Sequence, residues 1–213
     1  MLHASSGTLV RRGRIVDAPG CQALLTGLAR RFRKPLPAGA VVVCCQPVNA
    51  TTAEQYALRR LMTTVFAPSR LMLLDTVRAA AMDARVPTGP LLVVDIGAQL
   101  TEIAVLDRGF VVAARNLDIG TCDVGPAAGP EVLTDVINRN VAILLTEPAV
   151  TEVASAATAN GMLLAGDGAL LSGLPECLSR VLGISVRCAA SPRTAALDGA
   201  GQAALAALRH PAV

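Results

Sequence analysis

An aspartate and a glycine close a strongly apolar run at residues 91–97, Leu-Leu-Val-Val-Asp-Ile-Gly, and Thr101 follows soon after. The alternating stretch 102–106, Glu-Ile-Ala-Val-Leu, comes next, so the pattern predicts two strands joined by a tight turn. In such a turn Gly97 lets the backbone bend, while the Asp95 carboxylate and the Thr101 hydroxyl can meet a phosphate or a metal-bound water. An ordinary β-hairpin with an aspartate at its turn explains the same pattern equally well.

A second glycine turn, Gly166-Asp167-Gly168, lies between an apolar run at 161–165 and a helical pattern at 169–182. A strand, a glycine turn and a helix in this order place backbone amides where they can cradle an anion. The sequence therefore contains two turns whose chemistry suits a phosphorylated ligand.

The composition limits the class of protein. The 213 residues are 53% hydrophobic but only 2% aromatic, so the core must be built from Ala, Val and Leu. Nineteen basic and sixteen acidic residues give a net charge of +3, which is too balanced to indicate nucleic-acid binding. Basic runs at 11–14 and 30–34 are interpreted as solvated faces, with Phe32 as the one aromatic residue among them.

Cysteine and histidine usage argues against metal sites and disulfides. None of the six cysteines forms a Cys-x-x-Cys pair, and several lie in apolar runs, so buried free thiols in a reducing compartment are expected. His3 and His210 lie near the two ends, which disfavours a zinc site or a histidine-dependent triad. With no signal-peptide pattern and no apolar run of about 18 residues, the sequence predicts a cytoplasmic protein.

Hydrophobic periodicity predicts an alternation of strands and helices. A short hairpin is expected at 8–17, and parallel strands with crossover helices are expected from residue 41 onward. The other predicted strands are 41–45, 71–74, 110–115, 161–165 and 184–188. The predicted helices are 21–32, 51–65, 75–84, 131–146, 149–159, 169–182 and 191–209.

Taken together, these motifs resemble the actin-like ATPases, most closely the MreB/Mbl family of bacterial rod-shape proteins. Asp95-Ile96-Gly97 with Thr101-Glu102 resembles the second phosphate loop of that family. Residues 162–174, Met-Leu-Leu-Ala-Gly-Asp-Gly-Ala-Leu-Leu-Ser-Gly-Leu, resemble its adenosine-binding turn, and residues 185–196 resemble its last strand and helix start. The resemblance spans about residues 10–208 in the correct order.

The resemblance implies an α/β fold of actin-like, ribonuclease H-like mixed sheets flanked by helices. It divides the chain into a partial first inner subdomain at 8–88 and a second inner subdomain at 89–213, with the outer subdomains reduced or missing. It also implies ATP and magnesium as ligands, with Asp95 toward the metal. The nucleotide-site residues carried over are Asp95, Gly97, Thr101, Glu102, Gly120, Gly166, Gly168 and Ala169.

Several departures from the family pattern weaken the implied chemistry. No first phosphate loop precedes Val10, and residues 123–161 are too few for the usual outer subdomain. Ala98 and Gln99 replace loop glycines, where a Cβ is expected to restrict positive φ and to crowd a phosphate. Asp167 adds a negative charge to a site for a polyanion. The water-positioning glutamate of the family aligns with Thr76, so hydrolysis is expected to be lost and no catalytic residue is assigned.

Three functional hypotheses follow. The favoured one is a truncated MreB/Mbl-like protein that acts in cell shape or cell-wall morphogenesis by assembling with itself or a full-length relative, with weak or absent ATP binding. The second is a working phosphotransferase or ATPase of the actin, sugar-kinase and Hsp70 superfamily. The third is a non-catalytic α/β scaffold for a partner. Cell-wall morphogenesis proteins are further candidate partners, and the first ten residues give no amphipathic pattern to support membrane binding.

Overall fold

A computed structural model of the chain describes residues 8–31, 37, 39–84, 89–124 and 129–209. The predicted end of the first helix near Phe32, most of the second basic run and part of the loop expected after Asp123 lie outside these residues.

The first elements are a short hairpin and a helix. Strands β1 (Val10–Arg11) and β2 (Arg14–Ile15) pair antiparallel, which confirms the hairpin predicted at 8–17. Helix α1 (Ala18–Ala29) follows, and the Asp17 side chain caps its start by accepting a hydrogen bond from the Gly20 amide.

A parallel β-α-β-α unit comes next. Strand β3 (Val41–Gln46), helix α2 (Thr52–Phe66), strand β4 (Arg70–Asp75) and helix α3 (Thr76–Asp83) follow in order, and β3 and β4 form a parallel two-stranded sheet. Thr51 and Glu54 form a capping box at the start of α2, in which each side chain accepts from the other residue's amide.

A five-stranded mixed sheet forms the rest of the framework. Its strands are β5 (Leu91–Ile96), β6 (Thr101–Asp107), β7 (Phe110–Leu117), β8 (Met162–Ala165) and β9 (Val186–Cys188), in the spatial order β7-β6-β5-β8-β9. The first three strands form an antiparallel meander, whereas β8 and β9 run parallel to β5. The remaining helices are α4 (Glu131–Leu145), α5 (Ala154–Asn160), α6 (Leu174–Leu182) and α7 (Ala195–Arg209).

Three predicted helices begin later than the periodicity indicates, and one of them is α7, which begins at Ala195 rather than near Ser191. A 3-10 turn at Pro148–Val150 precedes α5, and another at Asp167–Leu170 precedes α6. Helix α6 begins at Leu174 rather than near Ala169 because Gly173 has a φ of +80°, which interrupts the right-handed helix. The cysteine prediction is also wrong in part, since all six thiols are free but Cys122 and Cys188 are exposed.

Both faces of the five-stranded sheet are covered. Leu92, Val94 and Ile96 point to one side, where α4, α5 and α6 pack, and Leu91 and Val93 point to the other, where α3 and α7 lie. Helices α3 and α7 approach so closely that a Cβ on Gly199 would lie 1.8 Å from the carbonyl oxygen of Ala79. No helix among the described residues is long and apolar enough to cross a membrane.

Candidate functional site

The turn between β5 and β6 is packed by its own chain. The Gly97 amide donates to the Leu100 carbonyl at 2.9 Å, and the amides of Thr121 and Cys122 donate to the carbonyls of Gly97 and Ala98 at 3.0 and 2.8 Å. A Cβ on Gly120 would lie 2.5 Å from the Gly97 oxygen and from the Gln99 nitrogen. Gly120 is therefore close to the turn, as the sequence predicted, and leaves little space above its backbone.

Ala98 and Gln99 do not carry the expected backbone strain. Neither they nor Gly97 are among the described residues with positive φ. The expectation that a Cβ would conflict with a left-handed backbone here is wrong, because the turn adopts a conformation that any residue can take. The side chains of Ala98 and Gln99 can therefore hinder a phosphate only by the space they occupy.

Thr101 faces the protein interior. Its side chain is fully buried, and its hydroxyl donates to the Ile119 carbonyl at 2.8 Å. This bond ties the start of β6 to the segment that follows β7, and it uses the hydroxyl that was predicted to meet a phosphate.

Asp95 lies at the carboxyl end of β5 beside the second glycine turn. It is only 9% exposed, and a Cβ on Gly166 would lie 2.7 Å from its Oδ1 atom. Burial, together with the negative charge of Asp167, raises the pKa of Asp95 to about 6. The structure thus brings the two predicted glycine turns together around this carboxyl group.

Glu102 is the second buried carboxyl group of the site. It is 5% exposed, and its Oε1 atom accepts a hydrogen bond from the Val48 amide at 2.6 Å. Burial raises the pKa of Glu102 to about 8, while the Val48 amide and Thr76 act in the opposite direction. At neutral pH the group is largely protonated, so it contributes little charge.

The second glycine turn packs on the end of β5. Gly166 has a φ of +81°, and its amide donates to the Pro192 carbonyl at 2.9 Å. A Cβ on Gly168 would lie 2.3 Å from the Ile96 Cγ2 atom, and Ala169 is 5% exposed. These contacts explain why small residues occupy the turn without any ligand being required.

Asp167 is paired with a neighbouring arginine. Its Oδ1 atom lies 2.6 Å from the Arg193 Nε atom, and both side chains are well exposed. The pair partly offsets the negative charge that Asp167 adds to the turn. Exposed pairs of this kind contribute little to stability.

Arg12 is a site residue that the sequence analysis missed. Its guanidinium donates to the carbonyls of Gln99, at 2.7 Å, and Asp118, and it forms a bidentate pair with the Asp123 carboxylate at 2.9 and 3.2 Å. The hydrogen bonds from Arg12 lower the pKa of Asp123. The interpretation of residues 11–14 as a solvated face is therefore wrong for Arg12, which clasps the β5–β6 turn.

The Arg12 clasp depends on the shape of the β1–β2 hairpin. Arg12 and Gly13 have φ values of +49° and +74°, and a Cβ on Gly13 would lie 2.5 Å from the Pro47 side chain. The adjacent Arg-Gly pair is a turn signal in the sequence, but its contact with Gln99 joins residues 87 apart. Only the folded chain shows that contact.

Carboxylates are the obvious metal ligands in the site, but they do not form a cluster. Across the described ranges, no group of three or more His, Cys, Asp or Glu side chains is arranged to hold a metal ion. The assignment of Asp95 to a metal, and of the eight residues to a nucleotide, stays a prediction.

Comparison with known proteins identifies the family that the chain matches. The family model described as MreB/Mbl protein matches residues 8–127 and 126–210. The cell shape-determining proteins MreB of Escherichia coli K12 and of Salmonella typhimurium are each 28% identical over 235 residues, covering 81% of this chain. The chain spans 66% of the length of these curated relatives.

Solved structures show the same fold at low sequence identity. MreB5 of Spiroplasma citri bound to AMPPNP has a TM-score of 0.81 at 16% identity, covering 96% of this chain and 80% of that one. The MamK double helical filament has a TM-score of 0.74 at 15% identity, covering 92% and 80%. The fold is therefore actin-like, and, because the family model matches nearly the whole chain, the protein belongs to the MreB/Mbl family.

Proposed function

We propose that this chain is an assembly subunit of the MreB/Mbl family that works without binding or hydrolysing ATP. The observation that carries the proposal is the closed β5–β6 turn. Gly120 packs on its backbone, the amides of Thr121 and Cys122 bond its carbonyls, and Arg12 clasps Gln99. A phosphate group could approach this turn only if these contacts separated.

The charge of the site also disfavours a nucleotide. Asp95 and Asp167 lie close enough for the charge of one to raise the pKa of the other. A triphosphate brings several more negative charges, and like charges repel strongly in a partly buried site. The positive charge of Arg193 is paired with Asp167, and that of Arg12 with Asp123.

Magnesium fits these residues poorly. Mg²⁺ usually keeps several water molecules and is held by one or two carboxylates together with substrate phosphates. Asp95 is only 9% exposed and its Oδ1 atom lies close to Gly166, so its carboxylate offers little surface to a hydrated ion.

The residue aligned with the water-positioning glutamate of the family carries no carboxylate. Thr76 stands where the family resemblance places the water-positioning glutamate, and its hydroxyl donates to the Gln46 carbonyl at 2.9 Å. A hydroxyl engaged in this way does not serve as a general base.

Apart from nucleotide chemistry, the relatives of this chain suggest one further property, which is assembly into filaments. One structural relative is described as a double helical filament, and the curated relatives are described as cell shape-determining. We infer that this chain assembles with itself or with a full-length MreB-like protein, and that it influences cell shape through that assembly. The division into inner subdomains at residues 8–88 and 89–213 belongs to the same proposal.

Two measurements test the proposal together. Isothermal titration of magnesium-ATP into the purified chain should give no binding heat, with full-length Escherichia coli MreB as the positive control in the same cell. Ultracentrifugal pelleting of the chain, alone and mixed with the full-length protein, should give the same pelleted fraction with and without ATP. Saturable ATP binding together with ATP-dependent pelleting would overturn the proposal.

A further inference from the structure

Strand β3 has one open edge. It pairs with β4 on one side, and within the ranges that the structure describes no strand pairs with it on the other. Its sequence, Val-Val-Val-Cys-Cys-Gln, carries no charge, and its first five residues are only half-buried. An uncharged, β-branched edge with unpaired backbone groups is a template for another strand.

A cavity of about 410 Å³ lies at the carboxyl end of this edge. Its walls come from the β1–β2 hairpin, the end of β3 and the start of α2, and they are largely apolar. Its lining includes Val10, Ile15, Cys45, Gln46, Ala53 and Leu58. The volume falls within the range of about 300–1,000 Å³ that is typical of ligand pockets.

Gln46 contributes to the wall of this cavity, and its side-chain amide is held by Asp75. Its Nε2 atom donates to the Asp75 Oδ1 atom at 3.1 Å. Its Oε1 atom is closed to solvent, and so to the open cavity, and has no hydrogen-bond partner among the described residues. The cavity therefore offers a partner mainly apolar surface.

A similar unit elsewhere in the molecule shows which kind of strand pairs with such an edge. Strands β8 and β9 are parallel and are joined through α6, just as β3 and β4 are joined through α2. The other edge of β8 is occupied by β5, which is parallel, six residues long and rich in Leu and Val. The open edge of β3 corresponds to the edge of β8 that β5 covers.

We propose that the β3 edge and its cavity form a binding groove for an extended apolar peptide segment of a partner protein, which adds as a strand parallel to β3. The six-residue edge is too small for the roughly 800 Å² per partner that a stable interface between folded proteins needs, which favours a peptide segment over a second copy of this chain. Strand addition supplies affinity through backbone hydrogen bonds and specificity through alternate side chains.

Fluorescence anisotropy with a synthetic peptide tests this site. The probe is a fluorescein-labelled Leu-Leu-Val-Val-Ser-Ile segment flanked by glutamates, which is the sequence of β5 with its aspartate replaced by serine. We expect saturable binding with a Kd in the micromolar range. Methylating alternate backbone nitrogens in one phase of the strand should weaken binding at least tenfold, and methylating the other phase should not, because only one set of amides faces β3.

Protein variants locate the groove. Ala53→Trp fills the cavity from an exposed position of α2 and should weaken peptide binding at least tenfold, whereas Thr63→Trp, at an exposed position of α2 outside the cavity, should leave it unchanged.

Three results would overturn the inference. They are no saturable binding at 100-fold excess over a micromolar Kd, equal weakening by both methylation patterns, and a dimer in light scattering that Ala53→Trp abolishes and the peptide does not displace. The last result would identify a second copy as the occupant. None of these measurements involves ATP, so they succeed or fail independently of the proposed function.

Discussion

Two parts of this molecule are built alike but are completed differently. Residues 41–84 and residues 162–209 each contain a parallel strand pair joined by a helix and followed by a second helix. In the second unit, β5 pairs with the free side of β8, and Leu163 and Leu164 are fully buried. In the first unit, none of the first five residues of β3 reaches full burial.

The comparison shows that full burial requires a third strand beside the parallel pair. Strand β5 supplies it for β8 and β9, and no described strand supplies it for β3 and β4. A strand with neighbours on both sides and helices on both faces excludes water completely, whereas a strand with one neighbour keeps an open edge. The stability of the chain should therefore be concentrated around β5 and β8. The first unit depends on its contacts with the rest of the chain, through α3 with α7 of the second unit and through Val48 with Glu102 of β6.

The largest expected effect on stability comes from the contact between helices α3 and α7, which end the two units. In Gly199→Ala, the new Cβ would lie 1.8 Å from the Ala79 oxygen, so α3 and α7 must move apart. We expect the free energy of unfolding to fall by about 3 kcal/mol or more, because the rigid backbone cannot yield locally. Urea denaturation followed by circular dichroism measures the change.

Gly201→Ala is the matched control in the same helix. Nothing lies within 4 Å of a Cβ at that position, so this variant should gain about 0.5–1 kcal/mol from helix propensity alone. Similar effects of the two substitutions would mean that α3 and α7 are not in contact in solution.

The second effect is a pH dependence of stability at the contact between Val48 of the first unit and Glu102 of β6. The folded state raises the pKa of Glu102 from 4.5 to about 8, so it holds a proton that the unfolded chain loses more readily. Stability should therefore be full at low pH and should decrease as the pH rises from about 4.5 to about 8, by a few kcal/mol. Glu102→Gln keeps an acceptor for the Val48 amide and should remove most of this decrease.

Asp95 supplies an internal check on that experiment. Its pKa is raised from 3.8 to about 6, so the Glu102→Gln variant should still lose some stability between about pH 4 and 6 and should change little above that. Unfolding midpoints measured from pH 4 to 9 separate the two groups. An unchanged slope above pH 6 in Glu102→Gln would contradict the assignment to Glu102.

The sequence predicted the elements well because local patterns determine them. The apolar run at 91–96 and the glycines at 166 and 168 gave the sheet core and the second turn, and the structure confirms both. The burial of Glu102 could not be predicted, because the alternating pattern of its strand gives no sign that both faces are covered. Arg12 was missed because its partners Gln99 and Asp123 are distant in the chain.

The smallest expected effect on stability is the difference between truncating a valine in β5 and truncating a valine in β3. Val93 in β5 is fully buried, whereas Val43 in β3 is half-buried. Val93→Ala should reduce the free energy of unfolding by about 2–3 kcal/mol, and Val43→Ala by about 1 kcal/mol, because less apolar surface and a smaller cavity are involved. Equal losses would mean that the β3 edge is covered in the isolated protein. If a peptide segment binds that edge, adding it should increase the loss at Val43 and leave the loss at Val93 unchanged, since only the first strand gains a neighbour.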